Sequence, residues 1–456
     1  MQTFKHALVF NGEIYNYKEL NRYRSTWQDG DTATLLEYIF NYGLDRTLKD
    51  INGMFAFGLY DKYENKLHLI VDRFGQKPLY YYHSGDVFAF ASSPSALLHL
   101  KHKWKIDEQV LQSYWMLGSP MGSIWQGIEK VDGSEIVTYD LEKKTITKER
   151  YWEPIFQENT NGIEDLILDA IQKVKVADVP VYLFLSGGID STLVASQCEG
   201  MNAIHMEGPE LKYARQAANR FGLTLYTISP QETNALEAIK DYSAKCGEPS
   251  MAGIIPYIVS REASKMCKVA ISANGADELF FGYDRTKDEV TDHQCKHIFR
   301  NGIKFTHSNL NWPEDDRLSY GRWLELQTYI KHDLNKTLDF ASMAHSLEVR
   351  CPFLDHRLVE MALSIPQEKI GRKELLKNML RKMGFGNEFL NRSKMGFSLY
   401  KEPIGYNKLK EDSFKWAQRE GFLKITGTLN NRDEEYLKAS AAGFYGFWEV
   451  FKDKIA

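Results

Sequence analysis

Ser186-Gly187-Gly188-Ile189-Asp190-Ser191 decides the reading of this chain. It follows the apolar run Val181-Tyr182-Leu183-Phe184-Leu185 and precedes Thr192-Leu193-Val194-Ala195-Ser196-Gln197, which reads as helix. A buried strand, a small-residue turn and a helix start make an anion site, because the free N–H groups of turn and helix converge there. Gly187 and Gly188 let the backbone approach a ligand closely, and Ser186 and Ser191 add hydroxyl donors. Asp190 offers a hard oxygen for a magnesium ion held against phosphate oxygens. The spacing is not that of the Walker loop, which ends in Gly-Lys-Ser/Thr.

The whole chain sets the frame for that loop. Its 456 residues suffice for two or three domains, and 43% apolar with 26% charged residues is ordinary globular composition. A net charge of −4 argues against nucleic acid and acidic membranes as partners. The five cysteines, Cys198, Cys246, Cys267, Cys295 and Cys351, are scattered with no C-x-x-C pair, which suits a reducing compartment rather than a disulfide framework or a zinc site. The N-terminus has no basic-then-apolar leader, and no stretch approaches about 18 uninterrupted apolar residues. A cytoplasmic protein is expected.

Two textures divide the chain. Residues 1–155 read as short strands (6–10, 54–60, 66–71, 87–91 and 134–139) with two helices, one of them a capped amphipathic helix over 31–42. The polar lapse Gln157-Glu158-Asn159-Thr160-Asn161-Gly162 marks the boundary to a second domain, 160–456. There, buried strands (181–185, 203–206, 224–228, 269–272) alternate with helices (164–174, 210–221, 233–246, 254–267), which predicts a doubly wound parallel sheet. Such folds bind phosphates at the carboxyl ends of strands, where the Ser-Gly-Gly turn lies. Residues 284–316 are polar and carry no signal, and from about residue 317 the pattern is mostly helical.

Three later segments are positioned to join the same ligand. Ser272-Ala273-Asn274-Gly275-Ala276-Asp277 follows a strand, permits close approach, and offers Asp277 as a second carboxylate for magnesium, although an aspartate at a helix start also reads as a cap. Arg392-Ser393-Lys394 places two cations beside a turn, either a solvated face or the counter-charge that a pyrophosphate leaving group requires. In Ser346-Leu347-Glu348-Val349-Arg350-Cys351-Pro352, charges sit within an apolar run, and Glu348 and Arg350 read equally as a structural ion pair or as substrate contacts.

Together and in this order, these motifs resemble the synthetase domain of glutamine-dependent asparagine synthetases, from about residue 165 to 400. The match includes Ser342-Met343-Ala344-His345-Ser346-Leu347-Glu348-Val349-Arg350, and the hexapeptide itself resembles the pyrophosphate loop of ATP pyrophosphatases. The resemblance implies that ATP and aspartate give β-aspartyl-AMP and pyrophosphate, and that ammonia then displaces AMP. It also implies that Ser186, Gly187, Gly188, Asp190 and Ser191 hold pyrophosphate, with Leu185, Met206, Ser272 and Ala273 about the nucleotide. Asp190 and Asp277 would bind Mg2+, Lys394 would neutralise the leaving group, and Asn274, Glu348 and Arg350 would lie on the acceptor side. Phe10-Asn11-Gly12-Glu13-Ile14-Tyr15-Asn16 looks like the glutamine-pocket signature of class II amidotransferases, which implies an Ntn-type αββα domain. Asn11 and the Gly12 N–H would form its oxyanion hole, and Glu13 and Asp31 would grip the α-amino group of glutamine. Taken alone, Asn-Gly before Glu reads as a turn. Asp72-Arg73-Phe74-Gly75-Gln76-Lys77 and Phe90-Ala91-Ser92-Ser93 fit the same family.

Two departures matter. Glutaminases of this class attack with an N-terminal cysteine, whereas residue 2 here is Gln2 and the first cysteine is Cys198. The domain therefore reads as truncated, with unpaired strand edges and no glutamine hydrolysis of its own. Either the start is assigned too late, at an internal methionine, or a separate polypeptide supplies the missing piece, or the enzyme uses free ammonia; a homodimer is the other partnership expected. Asn274 stands where asparagine synthetases carry a carboxylate, and an amide cannot accept a proton. The leading reading is an AMP-forming ligase making asparagine. The alternative is a related adenylating enzyme acting on a sugar acid, peptide or β-lactam-type precursor, and a third is a non-catalytic binding subunit.

Overall fold

Apolar strand runs in the N-terminal half, buried on both faces in Gly53–Asp61, lay down antiparallel sheet. The computed structural model describes residues 1–21, 30–229, 233–283, 317–392, 402–425 and 431–456. In chain order the first eight strands are β1 (His6–Ile14), β2 (Gly53–Asp61), β3 (Lys66–Val71), β4 (Tyr80–Ser84), β5 (Val87–Ala91), β6 (Ile128–Lys130), β7 (Glu135–Asp140) and β8 (Thr145–Arg150). They form a five-stranded sheet, β1-β2-β3-β7-β8, and a three-stranded sheet, β5-β4-β6. In β2 the odd residues Phe55, Phe57 and Leu59 pack on Leu35, Leu36, Ile39 and Leu48 of the helices Asp31–Tyr42 and Leu44–Asp50. On the opposite face, Ala56 with Leu69, Val71 and Val137 meets Leu79 and Tyr81 of the smaller sheet. Tyr80, Tyr82 and Ile128 then face the helices Ala235–Cys246 and Asn431–Phe451. The expected αββα sandwich is present, and its last layer combines Leu97, Leu98, Tyr114 and Trp115 of the first half with helices from the second half of the chain.

Several local expectations are corrected. β1 runs on through Asn11, Gly12 and Glu13, so this segment is strand and not turn. Gly12, at φ +139°, lies so close to the Met54 carbonyl opposite that no Cβ fits. The helix Asp31–Tyr42 has Gly30 at its N-cap and no side-chain cap; Asp31 instead accepts the Ile14 N–H at 3.1 Å and ties the helix to β1. Among the described residues, strands β4, β6 and β8 and three α-helices beyond the two expected exceed what the pattern predicts. β8 is a charged edge strand with most of its residues exposed, and so shows no apolar alternation. The edge of β1 is partly paired: Gln2 bridges Ala7, and the Leu8 N–H donates to the Met1 carbonyl at 2.8 Å.

The second half is the doubly wound parallel sheet. Its strands are β9 (Val181–Phe184), β10 (Asn202–Met206), β11 (Thr224–Ile228), β12 (Val269–Ile271) and β13 (Glu348–Arg350), in the order β11-β10-β9-β12-β13, all parallel. Chain order runs outward on one side of β9 and resumes on the other, so the topological switch lies between β9 and β12. β13 was masked in the sequence by its charged ends. Buried polar contacts lock the halves together. Lys77 donates to Asp339 at 2.7 Å, Asn335 to the Phe74 carbonyl at 2.9 Å, and Asn52 to Asp355 at 2.8 Å. The Asp72 carboxylate, which collects the N–H groups of Phe55, Phe74, Gln76 and Lys77, organises the loop that makes two of these contacts. Among the described residues, Cys198, Cys246, Cys267 and Cys351 are free and buried, and no helix is long and apolar enough to cross a membrane. Cys295 lies outside them.

Candidate functional site

The switch point brings the turns after β9 and β12 side by side. In the first, the Ser186 and Ser191 hydroxyls meet at 2.9 Å, and the Gly188 N–H donates to Ser186 Oγ at 3.2 Å. Gly187 has φ +84°, and a Cβ there would lie 2.9 Å from both the Ala214 nitrogen and the Glu210 carbonyl oxygen. Glycine is thus required twice over, by conformation and by space. Leu185 donates its N–H to the Ile204 carbonyl at 2.9 Å and its carbonyl meets His205 Nδ1 at 2.8 Å, one residue before Met206 at the end of β10.

The second turn supplies the opposing wall. Ser272 donates its N–H to the Arg350 carbonyl at 2.9 Å and its hydroxyl to Asn274 Oδ1 at 3.0 Å, so the amide is oriented by its own loop. Ala273 packs against the domain core. Asp277 opens the short helix Ala276–Leu279. Between the two turns sits Lys373, which sequence reasoning missed. Its ammonium lies 2.5 Å from Asp190 Oδ2 and also contacts Asp277 Oδ1. Burial would lower the ammonium pKa, but the charges of Asp190 and Asp277 outweigh it and hold the group above its ordinary value. Lys373 precedes the helix Glu374–Lys382 at φ +56°, anchored by its N–H on the Phe280 carbonyl at 2.8 Å. A left-handed lysine is uncommon and is held only where its surroundings demand it. Gly282 packs so tightly on Asp277 and Lys373 that it has no room for a side chain.

The buried Asp190 carboxylate and the partly buried Asp277 carboxylate, converging on one cation beside serine hydroxyls, form the hard-oxygen donor set that magnesium prefers. The residues fit that ion. Among the described residues no cluster of three or more metal-ligating side chains exists, so phosphate and water oxygens would complete its shell. Lys394 lies outside the described residues. Its neighbour Arg392 turns to the loop backbone, where Nη2 donates to the Gly187 carbonyl at 2.5 Å and to Glu210 Oε2 at 2.9 Å.

Glu348 and Arg350 form the ion pair, Nε to Oε1 at 2.6 Å. Arg350 also donates to Glu13 Oε2 at 3.0 Å, to the Val174 carbonyl at 3.0 Å, and to the Val176 carbonyl. Glu348 is paired in register with Val269, the first residue of β12, and Arg350 with Ile271, its last, so Arg350 stands where the second turn begins. Glu13 is thereby joined to the second domain, while Asn11 stays within β1 opposite Ala56. Burial raises the Glu13 carboxyl to about 7 against the pull of Arg350. Its unfolded value is 4.5, so the stability this group lends by holding a proton is complete below about 4.5 and is lost as pH rises through about 7. Glu13→Gln, which cannot ionise, should therefore gain in Tm relative to the parent chain as pH is raised across that window. A difference in Tm independent of pH would refute the shift.

A family profile described as asparagine synthase matches residues 162–442, more than half of the chain, and one for the glutamine amidotransferase domain matches 1–152. Glutamine-hydrolysing asparagine synthetase 1 of Bacillus subtilis is 29% identical over 90% of this chain and 78% of its own length. A Methanocaldococcus jannaschii protein provisionally named asparagine synthetase 2 is 34% identical over 60% of this chain and 58% of its own length, so the match spans just over half of that relative. Among solved structures, glutamine phosphoribosylpyrophosphate amidotransferase of B. subtilis aligns over 51% of this chain and 48% of its own, at 16% identity and a TM-score of 0.24, too slight a likeness to carry an argument.

Proposed function

Because the chain belongs to the asparagine synthase family, we propose that it activates the side-chain carboxylate of aspartate with ATP and transfers the acyl group to ammonia, giving asparagine, AMP and pyrophosphate. The family makes it an ATP-using carbon–nitrogen ligase. The observation that carries the finer reading is the Asp190–Lys373–Asp277 cluster beside the Ser-Gly-Gly turn. We divide the labour between residues 1–155, the amidotransferase-like domain, and 160–456, the synthetase domain.

In this mechanism the loop N–H groups and the Ser186 and Ser191 hydroxyls hold the terminal phosphates, with Leu185, Met206, Ser272 and Ala273 about the nucleotide. The aspartate oxygen attacks the α-phosphorus, the α–β bond breaks, and Lys373 faces the charge that gathers on pyrophosphate. Lys394 is assigned as a second cation there. Magnesium, when bound by Asp190 and Asp277, neutralises phosphate charge. Asn274 lies on the acceptor side and orients by hydrogen bonding, not as a base. Arg350 carries the Ser272–Asn274 turn through its carbonyl. The amide at 274 also favours a second reading, in which the same adenylation serves another carboxylate, of a sugar acid, a peptide or a β-lactam-type precursor.

Purified chain, ATP, magnesium and aspartate should release pyrophosphate and form asparagine with ammonium. No glutamate should appear with glutamine, since residues 1–152 contain no cysteine to act as nucleophile. Pyrophosphate release that ignores aspartate but responds to another carboxylate would select the second reading.

A further inference from the structure

We infer that Arg392 is a positioning residue for the phosphate-binding turn: its guanidinium straps the Gly187 carbonyl to the start of the helix Leu211–Arg220 and thereby keeps that carbonyl turned away from phosphate. The inference rests on reading Ser186–Ser191 as an ATP site.

A cation serving as counter-charge would present its donors to the open side of the turn. Arg392 spends them elsewhere. Nη2 bridges the Gly187 carbonyl at 2.5 Å and Glu210 Oε2 at 2.9 Å, and Nη1 donates to the Phe389 carbonyl at 2.5 Å. The guanidinium lies over the Tyr213 ring at 3.8 Å and over Phe389 at 4.5 Å. Only 12% of its side chain and 16% of that of Glu210 are exposed. The turn needs such a brace. Two consecutive glycines have the least restricted backbone in the chain, and the peptide between them can turn its carbonyl where its N–H should be. A carbonyl oxygen aimed at a polyphosphate repels it, whereas an N–H attracts it. Holding the Gly187 oxygen on the protein side removes that alternative. The same helix start presses on Gly187 from below, through the Ala214 nitrogen and the Glu210 carbonyl, so clamp and floor belong to one element.

The planar fork supplies a test that separates strap from charge, because lysine keeps the charge but cannot stack and bridge in the same way. In the full chain, Arg392→Gln should raise the Kd for MgATP about tenfold or more, and hydrogen exchange at residues 186–191 should quicken while the rest of the chain keeps its protection. Arg392→Lys should stay within about threefold of the Gln variant. Full recovery by lysine would overturn the proposal in favour of a phosphate counter-charge. So would a wild-type Kd with unchanged exchange, or faster exchange spread over the whole chain. Should Arg392→Gln not fold, Glu210→Gln removes the other anchor, and an unchanged Kd there overturns the strap as well. A wild-type chain that binds MgATP yet exchanges no pyrophosphate with aspartate present would sink only the choice of substrate. One that binds no MgATP would sink the ATP reading and this inference with it.

Discussion

Lys373→Met is expected to lower the rate of pyrophosphate release by roughly 10²–10³-fold, the loss typical when one preorganised charge-stabilising group is removed. Methionine keeps the length and apolar stem and deletes only the ammonium. That ammonium sits between Asp190 and Asp277, the carboxylates assigned to magnesium, and so lies where charge leaves with pyrophosphate. Its removal also leaves the buried Asp190 and the partly buried Asp277 carboxylates facing each other, and breaking a buried ion pair from one side costs about 3–5 kcal/mol. The metal-free variant should therefore melt below the parent chain and recover on addition of magnesium more than the parent does. In the parent, the lysine's own contribution is present throughout the range below its ordinary 10.5 and fades only as pH climbs past its raised folded value. Differential scanning with and without magnesium checks the stability arm, and a coupled pyrophosphate assay the rate. Turnover within a few-fold of the parent would remove Lys373 from the chemistry.

Lys373 also shows where the sequence stops being legible. The β9 strand, its Ser-Gly-Gly turn and the following helix can be read directly, because an apolar run, two glycines and a helix start are adjacent in the chain. The alternation that follows fixes a doubly wound sheet, and with it the switch point where Asp277 must come to meet Asp190. Lys373 has no such local signature. It is one of 57 lysines and arginines, and Asp190 lies 183 residues away. Arg392 was visible as a cation, but its direction was not, since that depends on Glu210 and Tyr213 of another element. Glu13 was placed on glutamine by resemblance, and its bond to Arg350, 337 residues away, has no signal in the local sequence. β13 escaped because Glu348 and Arg350 interrupt its apolar pattern. The last layer of the αββα sandwich was unreadable for a different reason. The helix Asn431–Phe451 looks like any amphipathic C-terminal helix, and nothing local says which sheet it covers.

Arg350→Ala should destabilise the chain by about 3–5 kcal/mol, the range expected when a buried, paired charge is truncated. Arg350 is 2% exposed and serves four acceptors: Glu348, Glu13 and the carbonyls of Val174 and Val176. Alanine leaves two carboxylates and two carbonyls short of a donor in a place water reaches poorly, and each unsatisfied neutral group alone costs about 1–3 kcal/mol. Lysine should rescue little, because one ammonium cannot span acceptors on three segments. Since those segments are β1, β13 and the end of the helix Ile163–Lys173, the loss should appear in both halves of the molecule at once. Chemical denaturation followed by tryptophan fluorescence should show a single transition moved to lower denaturant. The KM for aspartate separates the two readings of this residue. A large stability loss with KM moved less than about threefold marks Arg350 as the joint between the domains. A KM raised tenfold or more in a chain that melts near the parent temperature would restore it to the acceptor pocket.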